Sequence, residues 1–276
     1  MRKIIILFCG FWIVSFCFAD SKEFSGFVHF RFSSGENEND SFLIKRARLK
    51  YLRKIDEKFS YKLQIDVLKE PALLDAVLEY KYSNLFKLII GQFKIPISAE
   101  ALTPAIKQDL IEKYLFITQI FPSCCRDIGV MAKGVFKKIR YLAGVFNGNG
   151  MNKPNNDDRY LYVLRFEREF FSLLKTGISF AYSHEIFGKT VNFAPYKKRV
   201  LQGDFEFKRK NVFLKFEGII CCYLPDDPKI TSIEAQSFGI TGGLFLIPQK
   251  LQIVTRFEKY DPNKSIKDEN DFIWAT

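Results

Sequence analysis

The stretch SFLIKRARLKYLR, residues 41–53, decides the fold of this chain. Read with a period of two, it places Arg46, Arg48 and Lys50 on one face and Leu49 and Tyr51 on the other. A helix would distribute these charges around its circumference. Because one face is cationic and the other is apolar and aromatic, the stretch predicts a β-strand that separates water from hydrocarbon.

The same alternation recurs along the chain, for example over residues 61–67, 159–167 and 200–208. Each segment has about the 9–11 residues that a tilted transmembrane strand needs. About fourteen segments can be counted, the last, from Asp271 to Thr276, being short; a single-chain barrel closes with an even number of strands, and about sixteen enclose a water-filled channel. The pattern therefore predicts an all-β, antiparallel transmembrane β-barrel with its C-terminal strands missing from this chain.

Composition supports a membrane barrel. Hydrophobic residues make up 47% of the chain and aromatic residues 16%, with 30 Phe, which is too apolar for a disordered protein. Beyond the N-terminus no run of about 18 apolar residues occurs, so no transmembrane helix is expected. A barrel needs an apolar residue only at every second position.

Residues 1–19 have the features of a cleaved signal peptide. Arg2 and Lys3 precede an apolar stretch, and Cys17-Phe18-Ala19 offers a cleavage site. A lipidation site at Cys17 fits poorly because Phe16 precedes it. Residues 20–276 are therefore expected to form the barrel in the outer membrane of a Gram-negative-type bacterium.

The chain carries 42 Lys and Arg against 31 Asp and Glu. Its basic excess favours anionic partners, and export disfavours nucleic acid. Export also places the doublets Cys124-Cys125 and Cys221-Cys222 in an oxidising compartment, where pairing between the doublets stays an open alternative. Without a C-x-x-C spacing, we expect neither a metal site nor a cofactor.

The alternation stops between about residues 97 and 125. Ile106, Leu110 and Tyr114 are spaced one helical turn apart, which predicts a helix over residues 106–117. A long insert in a regular meander calls for a functional reason. We expect it to fold inward and narrow the pore; the alternative is an outward surface loop.

The charged face must look into the lumen. Each Lys or Arg facing lipid near the bilayer midplane costs about 2–4 kcal/mol, so three in one strand would cost much of a domain's stability. Successive inward cations lie about 6.6 Å apart and offer an anion a series of similar partners. The candidate channel-lining cations from the strand pattern are Arg46, Arg48, Lys50, Lys62, Lys94, Lys133 and Arg165.

Carboxylates share the predicted lumen face, which keeps a weakly selective pore as an alternative to anion preference. They are Asp66, Asp75, Glu79, Asp127, Asp204, Glu206, Glu217 and Glu258.

Several motifs in order resemble the phosphate-selective porin O and P family. They are KRARL (45–49), DAVLEY (75–80), GQFKIPIS (91–98) with Glu100, RDIGV (126–130), the stretch from Tyr141 to Gly148, and RFEKYDP (256–262). The resemblance implies a 16-stranded, homotrimeric porin in outer-membrane lipid that conducts small inorganic anions such as phosphate. By position it adds Lys113 and Arg126 to the anion-binding candidates. Lys stands at positions 45 and 113, where the family often has Arg.

Two other functions compete with a channel. An outer-membrane lipase would need a base and a nucleophile, but the chain has only His29 and His184 and lacks a G-x-S-x-G motif, so we expect no enzyme activity. His29 alternates with strand residues and is expected to face the lumen. A non-conducting structural or adhesive barrel is the second alternative.

Overall fold

The computed structural model describes residues 23–35, 38–121, 125–185, 195–247, 251–266 and 271–275, with no side-chain description for 33–38 and 271–275. The predicted signal peptide, residues 1–19, and Cys124 lie outside this part. Among the described residues, no helix is both long and apolar enough to cross a bilayer.

In the described part of the chain, fourteen antiparallel strands form one sheet in which every strand pairs with its neighbours in sequence. This arrangement confirms the predicted all-β class. The strands are β1 (Phe24–Gly35), β2 (Glu38–Lys54), β3 (Phe59–Asp66), β4 (Leu73–Lys81), β5 (Lys87–Lys94), β6 (Arg126–Phe136), β7 (Ile139–Phe146), β8 (Leu161–Phe170), β9 (Leu174–Glu185), β10 (Tyr196–Arg209), β11 (Val212–Pro225), β12 (Ile233–Ile247), β13 (Leu251–Asp261) and β14 (Asp271–Ala275).

The connections differ between the two edges of the sheet. Even-numbered strands lead into short turns, such as Lys137-Lys138, where both residues have positive φ as a two-residue type I′ hairpin requires. Odd-numbered strands, apart from β1, lead into longer connections. We call the edge of the sheet with the short turns the turn edge and the edge with the longer connections the loop edge.

The first hairpin is longer than the sequence predicts. A polar loop is expected over residues 33–41, but β1 and β2 stay paired almost to the turn, with Phe32 opposite Phe42 and Ser33 opposite Ser41. Backbone hydrogen bonding across the hairpin therefore continues through polar residues that have low strand propensity.

The longest connection, the β5–β6 segment (residues 95–121 as described), differs from the predicted helix over 106–117. It contains only α1 (Ala99–Leu102), a 3₁₀ turn (Ala105–Lys107) and α2 (Leu115–Gln119). Asp109 is held by Lys215 and Glu112 by Arg31, so residues at helical spacing are drawn to different strands. Tertiary contacts override local spacing here.

An apolar core lies between the β5–β6 segment and one face of the sheet. The segment contributes Tyr114, Phe116, Ile117 and Ile120, all almost fully buried. Inward residues of the middle strands complete this core: Met131, Leu142, Phe146, Val163, Val200 and Ile219. The opposite face carries exposed large apolar residues, as expected for contact with lipid.

Candidate functional site

The two faces of β2 differ as the alternation predicts. Arg46 and Arg48 are only 8% and 7% exposed, whereas Leu49 on the other face is about half exposed, at 48%. The same division holds in β8, where Arg165 is buried and Leu164 is exposed. Charged side chains thus gather on one face of the sheet, and large apolar ones cover the other.

A single residue shows that the charged face is concave. The Glu112 carboxylate lies 3.0 Å from Arg31 of β1 and 2.5 Å from Lys45 of β2, and its backbone carbonyl accepts a hydrogen bond of 2.9 Å from Arg256 of β13. In a flat sheet, β1 and β13 would lie about 58 Å apart. The sheet therefore curls around the β5–β6 segment.

Lys45 reaches Glu112 because β2 contains a bulge. The register pairs His29 with Arg46 but Phe30 with Ile44, so Lys45 is the extra residue on its strand. A bulge re-aims side chains. Strict alternation places Lys45 on the outer face, so sequence reasoning missed it as a lumen residue; the family-like motif at 45–49 was the only signal.

Polar side chains of β10–β13 hold the far side of the β5–β6 segment. Arg256 makes a bidentate ion pair with Glu100, at 2.8 and 2.9 Å, and its guanidinium carbon lies 4.0 Å from the centre of the Tyr114 ring. Glu217 accepts a 2.7 Å hydrogen bond from the Glu100 backbone N–H, and Glu258 accepts one from the Leu115 N–H. These contacts span both helical turns of the segment.

Tyr114 lies at the centre of this attachment. Its hydroxyl and that of Thr241 are 2.8 Å apart, and burial raises the pKa of the tyrosine above its ordinary value. The hydroxyl thus stays protonated and can share its proton with Thr241. The ring is fully buried against β12.

Five of the predicted cations come together near β2–β6. We call Arg48, Lys62, Lys94, Lys113 and Arg126, with the carboxylates Asp66 and Asp75, the cationic cluster. Arg126 and Lys62 lie 2.8 and 3.0 Å from the two Asp75 oxygens. Arg48 lies 2.9 Å from Asp66. Five basic side chains therefore share two carboxylates, so basic groups are in excess in the cluster.

Lys94 connects the cluster to the β5–β6 segment. Its ammonium donates to the carbonyl oxygens of Leu102 and Thr103, at 3.3 and 2.6 Å, and interacts electrostatically with Lys113, Arg126 and Arg48. Like charges that interact in this way repel each other, and an anion between them would relieve the repulsion. The β5–β6 segment therefore places Lys113 near the basic side chains of the strands.

The remaining predicted cations lie apart from the cluster. Arg46 donates to the Ile111 carbonyl at 2.7 Å and lies 3.4 Å from His29. Lys50 is half-buried and forms no ion pair with the part of the chain that the structure describes. Lys133 is paired with Glu79 at 2.9 Å.

Arg165 is neutralised by a network of its own. Its guanidinium donates to both oxygens of Asp204 and to Glu167 and Ser179, at 2.7–2.9 Å. Paired in this way, Arg165 acts as a structural cross-link between strands and presents no free charge.

The predicted carboxylates pair with cations or accept hydrogen bonds from backbone N–H groups. Asp66 and Asp75 pair with cations of the cluster, and Glu217 and Glu258 bind the β5–β6 segment. Asp127 accepts hydrogen bonds from the Ile128 and Gly148 N–H groups, both at 2.7 Å. Glu206 lies 3.6 Å from Lys215.

The doublet Cys221-Cys222 points to both faces of the sheet. Cys221 is buried on the concave side, whereas its neighbour Cys222 is half-buried on the outer side. Both are free thiols. Within the described residues, no group of three or more His, Cys, Asp or Glu side chains is arranged to hold a metal ion.

Solved outer-membrane proteins share this fold. An OmpT of Vibrio cholerae expressed in the outer membrane superposes with a TM-score of 0.63 at 12% identity, over 90% of this chain and 80% of that one. A trimer form of OmpT gives 0.62 at 11% identity, over 91% and 78%. An anion-selective porin from Comamonas acidovorans gives 0.59 at 9% identity, over 85% and 71%.

No curated protein matches the sequence. The model of one family, described as phosphate-selective porin O and P, matches residues 22–192, which is more than half of the chain. The matched range contains β1 to β9, the β5–β6 segment and every member of the cationic cluster. The chain therefore belongs to the phosphate-selective porin O and P family and is a porin of the outer membrane.

Proposed function

We propose that this porin is an anion-preferring channel for phosphate-like ions, in which the β5–β6 segment narrows the lumen beside the cationic cluster. The observation that carries the proposal is the excess of basic side chains over carboxylates in the cluster on the concave face, with Lys113 supplied by the segment itself. Lysine and arginine together provide both point charges and a planar donor fork for phosphate oxygens.

The position of the segment supports a constriction. Its Glu112 contacts β1 and β2. Its Glu100 and Tyr114 contact β11 to β13, where Arg256 pairs with Glu100. Ions crossing a lumen occupied in this way pass close to the walls. At short range in a narrow path, fixed charges act on ions more strongly than they do in bulk water.

The exported, trimeric state belongs to the same proposal. Residues 1–19 have the charge and hydropathy pattern of a signal peptide, and one OmpT relative in fold is described as a trimer form. We propose a homotrimer embedded in outer-membrane lipid, with catalysis absent. Three channels per particle would appear as conductance steps in multiples of three.

Single-channel recording of the refolded full-length protein tests the proposal. We expect a reversal potential on the anion side in a salt gradient, and block of the chloride current by phosphate. Lys113→Gln should weaken phosphate block about ten-fold, the effect of losing one charge-assisted contact. Lys133→Gln is the matched control, because Lys133 is paired with Glu79 outside the cluster.

A weakly selective general porin is the alternative, and the pairing of Arg165 and Lys133 with carboxylates favours it. In that case phosphate would not block the chloride current and the reversal potential would stay near zero. A barrel without conductance would contradict both channel readings and support a structural role. Cation selectivity would also refute the anion proposal.

A further inference from the structure

An apolar groove of about 930 Å³ lies on the lipid-facing side of the barrel wall, across β5–β11. Its depression follows from small outward residues: Ala132 lies opposite Ala143 in the register of β6 and β7. Larger exposed residues rise beside them, namely Leu164, Phe180, Leu201 and Ile220. The groove has the size of a small-molecule site but faces hydrocarbon.

A row of polar and aromatic residues borders the groove on the side of the loop edge. The register aligns Tyr162 with Tyr182, Tyr182 with Arg199, and Arg199 with Cys222. The apolar residues Leu164, Phe180, Leu201 and Ile220 form the next outward row, about 6.6 Å nearer the membrane centre. Tyrosines at this height are typical of the aromatic girdle at the membrane interface.

Arg199 is an exposed cation on the lipid-facing side. One row farther out, Lys197 lies 3.5 Å from Asp226, whose carboxylate also accepts a hydrogen bond of 2.6 Å from His184. Arg199, by contrast, forms no salt bridge within the described part of the chain. An anionic headgroup at the interface would neutralise this arginine, which has no ion pair in the described residues, whereas hydrocarbon would not solvate it.

We propose that this groove binds a phosphorylated, acylated glycolipid of the outer leaflet, with a phosphate on Arg199 and an acyl chain along the Ala132–Ala143 depression. The loop edge supports this choice of lipid, because outer-membrane barrels have their longer loops outside the cell. Guanidinium binds phosphate oxygens bidentately, and the neighbouring tyrosines can donate to sugar or phosphate oxygens. Apart from the bordering row of Tyr162, Tyr182, Arg199 and Cys222, apolar residues line the groove and would bury the acyl chain.

The test measures glycolipid retained by the full-length folded protein, using native mass spectrometry in detergent with added bis-phosphorylated glycolipid. Arg199→Ala should weaken binding about ten-fold, as expected for one charge-assisted hydrogen bond. Arg209→Ala is the matched control: it removes an exposed cation from the same face of β10 at the turn edge and should leave binding unchanged. Ala143→Phe fills the groove with another apolar side chain and should also reduce retention.

The remaining arms identify the ligand. Dephosphorylated glycolipid should bind wild type as weakly as the phosphorylated form binds Arg199→Ala. Equal retention of phosphatidylglycerol would overturn the choice of glycolipid. Unchanged binding in Arg199→Ala would overturn the site. Loss of the oligomer in Ala143→Phe, measured without lipid, would show that a second copy of this protein covers the groove and would also overturn it.

Discussion

Tyr114 lies against Gly239 so closely that a Cβ atom at position 239 would be only 2.2 Å from Cε1 of the ring. Glycine at this position of β12 therefore creates the space into which the β5–β6 segment inserts its tyrosine. Gly239→Ala should displace the ring, weaken its hydrogen bond to Thr241 and destabilise the attached segment by about 1–3 kcal/mol. Trypsin cleavage at Lys107 and Lys113 of the folded protein measures the release.

Gly242→Ala is the control for this substitution. It lies in the same strand, but its Cβ would meet only Leu214, at an ordinary 3.9 Å. We expect wild-type resistance to trypsin and wild-type conductance from this variant. If Gly239→Ala is as resistant as Gly242→Ala, the contact of Tyr114 with Gly239 does not hold the segment.

The ion pair between Arg256 and Glu100 fastens the segment from the neighbouring strand. Both side chains are largely buried, and Arg256→Gln would leave Glu100 with an uncompensated charge. Removing one partner of a buried pair costs about 3–5 kcal/mol, whereas replacing both costs much less. Arg256→Gln should therefore open the segment to trypsin, and adding Glu100→Gln should restore much of its protection.

The double variant separates charge from packing. Rescue by Glu100→Gln indicates that the unpaired carboxylate causes the opening. Without rescue, the stacking of Arg256 on Tyr114, at 4.0 Å, would be the main contact. Protection of the single variant equal to wild type would show that neither contact matters for the segment.

Strand alternation predicted much of this architecture because the period of two is imposed by backbone geometry. It assigned Arg46 and Arg48 to one face and Leu49 to the other, as the structure places them. Alternation fails where an extra residue enters a strand. Lys45 at the β2 bulge reaches Glu112. Leu74 alternates with the predicted lumen residue Asp75, yet it is fully buried, because the register shift at Gln64 and Ile65 makes it the extra residue of its strand.

Long-range contacts were beyond sequence reasoning for a different reason. Nothing local marks Glu112 as the partner of both Arg31 and Lys45, since the pairing depends on how far the sheet curls. Alternation also did not predict the apolar part of the concave face. Phe146 and Val163 point inward, as their positions in the strands predict, but the pattern alone assigns every inward side chain to a water-filled lumen. They are covered by the β5–β6 segment, whose packing no period reveals.

Neutralising Glu112 should increase the anion preference of the channel, whereas neutralising Lys113 should weaken phosphate binding. Its carboxylate neutralises Arg31 and Lys45 on the lumen face. Glu112→Gln should remove a negative charge from beside both cations and raise the anion-to-cation permeability ratio about two- to five-fold, because one unit charge a few ångströms from an ion contributes about 1 kcal/mol or less in water. The measurement is the reversal potential in a KCl gradient.

Salt dependence provides the internal check for the Glu112 variant. The change should be larger at 0.1 M KCl than at 1 M, where the Debye length falls to about 3 Å. Glu169→Gln is the control, because Glu169 is an exposed residue near the turn edge, paired with Lys175 at 3.8 Å. A fall in the anion permeability of Glu112→Gln would contradict the assignment of Arg31 and Lys45 to the ion path.

The adjacent thiols Cys221 and Cys222 allow a direct test of which face meets lipid. Cys221 is fully buried on the concave side, whereas Cys222 lies in the outward row with Arg199. In proteoliposomes of a variant whose other cysteines are Ser, a membrane-soluble maleimide should label Cys222, and a charged maleimide added to the water should label it at least ten-fold more slowly, since only thiols reached by the reagent react. The matched variant that keeps only Cys221 should resist both reagents until the barrel is unfolded. Fast labelling of Cys221 by the membrane-soluble reagent would reverse the two faces of β11 and with them the inward placement of Glu217.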